Sequence, residues 1–327
     1  MQLIRGLHNL RRLAQSDSPL LADGCVATIG NFDGVHRGHQ VIIDQVHEKA
    51  RELGVPSVVM VFEPQPREFF AGDKAPPRLM RFREKVEALA EADVDVVVCL
   101  QFNHRLRNLS AMDFIEQVLI DGLKVRHLVV GDDFRFGCDR AGDFHLLQDV
   151  GEQRGFSVAH TRTITERGER ISSTRVRQAL EENRLADARG LLGHAYSIAG
   201  RVNHGQRLGR QIGAPTANIP LGRHKPPLRG VFVVQATREN GDSLNGVANI
   251  GLRPTVNGKQ PLLEVHFFDF DSDLYGERLV VGFLSQLRDE VRFDSLDALK
   301  AQIMRDMDDA REWLARHPDP EPENNIL

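Results

Sequence analysis

The stretch Gly30-Asn31-Phe32-Asp33-Gly34-Val35-His36-Arg37-Gly38-His39 decides how the first half of this chain is read. It follows the apolar run Cys-Val-Ala-Thr-Ile at 25–29, a buried-strand pattern, and opens a helical pattern at 39–53. Glycines between a strand and a helix let backbone N–H groups approach a phosphate closely, and the helix N-terminus adds partial positive charge. Two imidazoles three residues apart can face the same anion, an arrangement suited to a nucleotide triphosphate. A glycine turn with two surface histidines would use the same letters. Position after the first strand of the pattern is what favours function.

Working outward, the runs at 57–62 (SVVMVF), 94–100 (VDVVVCL) and 127–130 (HLVV) are expected to be buried strands, with helical spacing at 81–92 and 111–122 between them. Strands alternating with helices imply an α/β unit with a parallel sheet covered on both faces. One helix at 174–192 is expected to close this half. Beyond Gly193 the texture changes: segments 196–202, 230–236, 246–250, 262–268 and 279–287 alternate as strands between Gly, Asn, Pro and Asp, with no helices among them. That pattern predicts an antiparallel sandwich or small barrel. A helix at 295–313 and a polar, Pro-rich tail follow. The expected division is residues 1–187, residues 188–315 and a loose tail at 316–327.

At 327 residues, 41% hydrophobic and 27% charged, the chain is long enough for two soluble domains, each with its own core. A net charge of -4 gives no broad attraction to nucleic acid. No apolar run is long enough to span a bilayer, and the first residues lack the continuous apolar core of a signal peptide. Cys25, Cys99 and Cys138 are isolated, without metal-ligand spacing, as expected of reduced thiols in the cytoplasm. No nucleic-acid or membrane partner is expected.

Two further segments bear on the first half. Gly131-Asp132-Asp133-Phe134-Arg135-Phe136-Gly137 directly follows the strand at 127–130, at the carboxyl end where open α/β sheets bind ligands. Ile171-Ser172-Ser173-Thr174-Arg175-Val176-Arg177 places hydroxyls at a helix start. Ser and Thr are ordinary N-caps, but arginine in a first turn opposes the helix dipole unless an anion is near.

In the β-rich half, residues 205–218 (GQRLGRQIGAPTAN) join three glycines and two arginines, which suit phosphates, to a Thr hydroxyl and an Asn carbonyl, hard oxygens suited to Mg²⁺. A glycine-rich hairpin loop explains the glycines but not Pro215-Thr216-Ala217-Asn218. Downstream come Asn249-Ile250-Gly251, Leu263-Glu264-Val265-His266 and Leu287-Arg288-Asp289-Glu290. Glu264 lies in an alternating strand, where it faces either solvent or a cleft.

The forms GNFDGVHRGH, GDDFRFG and ISSTRVR resemble the FMN adenylyltransferase domain of bacterial FAD synthetases, within the nucleotidyltransferase superfamily. The later series resembles the riboflavin kinase domain, so the whole, over residues 15–313, is similar to bacterial bifunctional riboflavin kinase/FMN adenylyltransferases. The resemblance implies a Rossmann-like nucleotidyltransferase domain followed by a Greek-key β-barrel with a terminal helix. It implies riboflavin, FMN and ATP as substrates, flavins as substrate and product, and Mg²⁺ accompanying ATP. His36 and His39 would face the developing phosphorane oxygens. Ser172, Ser173, Thr174 and Arg177 would serve the triphosphate, and Gly30, Asn31, Asp33, Asp133 and Arg135 would support nucleotide binding. Thr216 and Asn218 would hold Mg²⁺, Gly209 and Arg210 would lie by the phosphates, and Glu264 would act as general base on the ribityl hydroxyl. Asn249 and Arg288 would lie at the flavin. Two positions depart from the family's pattern: Gln65 stands where His is expected, and Phe232 where Tyr is expected. The rival readings are an enzyme with one working activity, a nucleotidyltransferase for another phosphorylated small molecule, and a flavin-binding regulator; the last has no need of His36, His39, Thr216, Asn218 and Glu264.

Overall fold

Runs in which nearly every residue is apolar have no face to offer solvent. In the computed structural model, which describes residues 1–16, 18–131, 133–204, 215–222, 225–255 and 258–318, they fill the middle of a parallel sheet. The chain divides into two units, Met1–Pro76 with Phe82–Ile171, and Pro77–Arg81 with Ser172–Leu327.

The first unit carries strands β1 (Gln2–Arg5), β2 (Cys25–Ile29), β3 (Ser57–Glu63), β4 (Val96–Gln101), β5 (Val125–Val130) and β6 (Ser157–His160), in the order β1-β4-β3-β2-β5-β6. All neighbouring pairs are parallel. Every residue of β2 is buried, as are Val58 to Val61 and Val96 to Leu100. The run expected from 94 enters the sheet only at Val96, because the Asp95 carboxylate accepts from Ser57 N–H at 2.9 Å and Ser57 Oγ at 2.7 Å. Two strands of this sheet went unmarked in the pattern. Both are sheet edges of four residues: β1 buries only Ile4, and β6 has no fully buried residue.

Helices α1 (Leu7–Ala14), α2 (Arg37–Leu53), α3 (Pro66–Ala71), α4 (Phe82–Glu91), α5 (His104–Arg107), α6 (Ala111–Phe114) and α7 (Phe144–Arg154) connect these strands. The expected helix at 111–122 is α6 followed by a wider π turn, Ile115–Ile120. From β2 the chain moves through β3 to β4 on one side, then returns to β5 on the other. This reversal opens a crevice at the carboxyl ends of β2 and β5, where residues 30–39 and 131–137 begin. A hairpin of two short strands, β7 (Thr165–Glu166) and β8 (Glu169–Arg170), ends the unit.

In the second unit the helix expected at 174–192 is two helices, α8 (Ser173–Glu181) and α9 (Leu185–Leu192). The break lies at Asn183, whose φ of 55° is left-handed and tolerable for Asn, with Arg184 N–H donating back to Ala179 O at 2.7 Å. Strands β9 (Ser197–Arg201), β10 (Ala217–Pro220), β11 (Gly230–Thr237), β12 (Ser243–Thr255), β13 (Gly258–Phe267) and β14 (Arg278–Arg288) form an antiparallel sheet ordered β10-β13-β12-β11-β14-β9. Its first and last strands approach at an Asn203–Asn218 bridge, so the sheet curls almost closed. Ile198, Ile219, Phe232, Leu263, Val265 and Phe283 are buried, the Phe232 and Phe283 rings meeting edge-on at 5.4 Å. Helix α10 (Leu296–Arg316), capped by Ser295 Oγ accepting from Ala298 N–H at 3.1 Å, packs Met307 and Ala310 on Val231, Val233 and Val247. No described helix is long and apolar enough to cross a membrane.

Candidate functional site

The first site grows from the turn after β2. His36 is the N-cap of α2, and its Nδ1 accepts from the His39 backbone N–H at 3.3 Å. A neutral imidazole that accepts at Nδ1 carries its proton on Nε2 and can donate there. The His39 ring stacks on His36, centroids 3.6 Å apart and 13° from parallel, with Phe32 at 4.7 Å. His39 Nδ1 is buried without a hydrogen-bond partner. Burial above all, then the electrostatic influence of His36, Lys85 and Arg170, holds the His39 pKa well below 6.5, so this ring is neutral at physiological pH.

The turn is held by packing against its own strain. Phe32 and Val35 adopt φ of 45° and 39°, a region costing bulky residues on the order of 1–2 kcal/mol each. Both side chains are buried anchors, and Asp33 is only 1% exposed. Gly30 leaves room for the Phe32 ring, which would lie 3.0 Å from a Cβ there; Asn31 is half-buried beside it. From the turn after β5, the exposed Asp133 reaches Arg170 at 3.9 Å, and Arg135 donates to the Phe134 carbonyl at 3.0 Å.

The β5 turn also borders a cavity of about 660 Å³. Phe62, Phe70, Phe102, Phe114, Phe134 and Phe136 line it, together with Arg67, Arg107, Arg135 and Arg140. Phe134 and Phe136 stack at 5.6 Å, while Phe62 and Phe70 meet Phe102 edge-on at 5.9 and 5.8 Å. Such a cavity suits a flat aromatic ligand carrying negative charge. Sequence reasoning left these phenylalanines unassigned, because they come from five separate segments that only the fold gathers. Gln65 is nearby in sequence and buried; it caps α3, its N–H donating to Glu68 Oε2 at 3.0 Å in a reciprocal capping box.

In the second unit, Ser172 Oγ caps α8 by accepting from Arg175 N–H at 3.3 Å. Ser173 is half-buried and Thr174 exposed at that helix start. Arg177 Nε donates to Pro77 O at 2.7 Å, tying down the 77–81 segment. Gly209 and Arg210 lie outside the described residues.

The barrel brings three other candidates into one line. Asn218 on β10 and Asn249 on β12 both pair in register with Glu264 on β13 between them, so all three project from one face. Val231 and Arg288 continue the row, placing it on the face that α10 covers. Asn218 Nδ2 donates to Thr216 O at 3.2 Å, which leaves Asn218 Oδ1 buried and without a donor. Asn249 Oδ1 is likewise buried with no hydrogen-bond partner among the described residues. A buried polar group left so costs about 1–3 kcal/mol unless a ligand supplies the partner. His266 Nδ1 lies 2.9 Å from Pro215 O and must donate to it, fixing the entry to Thr216 and Asn218. The Thr216 hydroxyl and the orphaned Asn218 Oδ1 form a hard-oxygen donor set that fits Mg²⁺. Arg288 is engaged in a fork with Asp306, 2.8 to 3.1 Å, its guanidinium 5.7 Å from the Phe293 ring centre.

Comparison with known proteins matches both units. The family model described as FAD synthetase covers residues 19–175, and that described as riboflavin kinase covers 192–314. The chain is 52% identical over 314 residues to the bifunctional riboflavin kinase/FMN adenylyltransferase of Escherichia coli K12, covering 96% of this chain and 98% of that one. Its counterpart in Pseudomonas fluorescens is 54% identical over 316 residues, with the same coverage. Among solved structures, one titled a macrolide-efflux protein from Streptococcus pneumoniae matches with a TM-score of 0.79 at 29% identity, over 96% of this chain and all of that one.

Proposed function

The chain belongs to the bifunctional riboflavin kinase/FMN adenylyltransferase family, transferases that convert riboflavin to FMN and FMN to FAD, and from that premise we propose how its own residues divide the work. Adenylyl transfer falls to residues 1–187 and phosphorylation to residues 188–315, in the cytoplasm; of the tail expected at 316–327, residues 319–327 lie outside the described residues. The observation that carries the first assignment is the stacked His36–His39 pair, its His39 ring held neutral, at the carboxyl end of β2, with the phenylalanine-lined cavity at the turn after β5.

That cavity takes the isoalloxazine ring of FMN, with its arginines toward the phosphate. The FMN phosphate oxygen attacks the α-phosphorus of ATP, a new P–O bond forms, and the bond to pyrophosphate breaks. No side chain need become covalently bound. His36 donates from Nε2 to an oxygen of the α-phosphoryl group as its charge grows, and His39 braces the His36 ring in place. Gly30, Asn31, Asp33, Asp133 and Arg135, with Ser172, Ser173, Thr174 and Arg177, remain the proposed nucleotide-binding groups.

In the kinase, Glu264 accepts the proton of the terminal ribityl hydroxyl as that oxygen attacks the γ-phosphorus of ATP and ADP departs. Thr216 and Asn218 would hold Mg²⁺, which neutralises phosphate charge. Gly209 and Arg210 are assigned to the phosphates, and Asn249 and Arg288 to the flavin side.

Chromatography of flavin products tests the division. Purified protein with riboflavin, ATP and Mg²⁺ should yield FMN and FAD. His39→Ala should lower FAD formation on the order of 10²–10³-fold with FMN formation kept, and Glu264→Gln should lower FMN formation while FMN supplied from outside is still adenylylated. Equal loss of both activities in either folded variant would overturn the division.

A further inference from the structure

We propose that Asn249 determines polyol specificity in the kinase site, its Oδ1 accepting a hydrogen bond from the ribityl hydroxyl next to the one that is phosphorylated. The inference rests on Glu264 being the base, and it concerns a residue on the far side of that base from the Mg²⁺ ligands. Register places Asn218, Glu264 and Asn249 directly across from one another on β10, β13 and β12. Neighbouring strands lie about 4.7–4.9 Å apart, so the two asparagines are separated by two spacings, roughly 9–10 Å. Asn218 is turned by its Nδ2 bond to Thr216 O and belongs with Thr216.

The orientation of the Asn249 amide says what it awaits. Gly251, two residues on along the same face, has no side chain, and the space a Cβ would take is occupied by Glu290 Oε1, with Asn249 Nδ2 3.4 Å from that point. A carboxylate oxygen on the Nδ2 side is complementary to the amide's donor end. The acceptor end, Oδ1, is buried with no hydrogen-bond partner among the described residues. One base that takes a proton from a hydroxyl, flanked by one acceptor that needs a hydroxyl, matches two adjacent hydroxyls of a sugar-alcohol chain. An acceptor left empty penalises any chain that lacks the second hydroxyl, which is how a hydrogen-bonding site rejects a deoxy analogue.

The test compares riboflavin with an analogue lacking the 4′-hydroxyl, in wild type, Asn249→Ala and Asn249→Ser. Wild type should disfavour the analogue by about tenfold in kcat/KM, the worth of one good hydrogen bond. Asn249→Ala should lower kcat/KM for riboflavin about tenfold, largely through KM, and should treat the two flavins alike. Asn249→Ser, which keeps an acceptor, should retain part of the discrimination and serves in place of the Ala variant should that fail to fold by Trp313 fluorescence. The Mg²⁺ concentration for half-maximal rate should stay unchanged. Retained discrimination in Asn249→Ala, its absence in wild type, or a shifted Mg²⁺ requirement would each overturn the inference. Kinase activity surviving in Glu264→Gln would instead overturn the base assignment, so the two failures are told apart.

Discussion

Gly38 owes its place to space. A Cβ there would lie 3.2 Å from both Cε1 and Nδ1 of His36 and 3.3 Å from the Ile171 carbonyl, so one methyl group must push the ring or the backbone. Displacing the ring proposed to donate to the α-phosphoryl group by a fraction of an ångström misaligns its donor, and Gly38→Ala should lower FAD formation about tenfold while FMN formation from riboflavin is unchanged. Flavin chromatography at saturating FMN checks it; an unaltered rate would mean the ring has slack. Single residues were legible in uneven measure. The spacing of His36 and His39 was enough to propose a phosphate partner for them, whereas their stacking and the Nδ1 acceptor bond are three-dimensional facts. The two departures from the family's pattern resolve as local packing. Gln65 serves as a helix cap, and Phe232 is fully buried against Phe283, where a tyrosine hydroxyl would need a partner.

At the scale of elements, the fork between Arg288 on β14 and Asp306 on α10 fastens the helix to the outer face of the barrel. The Asp306 side chain is 5% exposed and that of Arg288 21%, and Asp306 also accepts from Gln302 Nε2 at 2.9 Å. Removing one partner leaves a largely buried charge uncompensated, so Asp306→Ala should cost about 3 kcal/mol, read as a lower urea midpoint of Trp313 fluorescence. Kinase activity should fall with it, because the row holding Glu264 lies on the face that α10 covers; a variant with an unchanged midpoint would show that the apolar contacts of Met307 and Ala310 suffice. Arg288 was picked out for a place near the flavin, and no one-dimensional pattern could show its tie to a residue eighteen positions later. The central strands were legible because burial on both faces makes nearly every residue apolar. The edge strands β1 and β6 were not, since solvent on one side removes that signature, and the break between α8 and α9 hides because Asn183 interrupts no hydrophobic period.

Across the whole molecule, the two units can be watched separately because the single tryptophan, Trp313, lies in the second, on α10. The first unit holds two histidines kept neutral by the fold. Burial lowers His127, with Lys49 adding to the effect and Glu52 opposing it, and burial with nearby positive charge lowers His39. Each has a folded pKa below the 6.5 of the unfolded chain, so below about pH 6.5 the unfolded state binds more protons than the folded one. Stability from these groups is therefore complete above that pH and is lost as the pH falls beneath it. Between pH 7.5 and 5.5 the urea transition of the first unit, followed by hydrogen exchange in β2 and β5 after correction for intrinsic rates, should move to lower denaturant. His127→Gln, which can keep a hydrogen bond to Ser157 Oγ, now 2.7 Å from His127 Nδ1, should shrink that movement and leave the Trp313 transition where it was. An equal pH shift in wild type and variant would remove His127 from the account, and a Trp313 transition that followed the substitution would mean that the two units unfold as one.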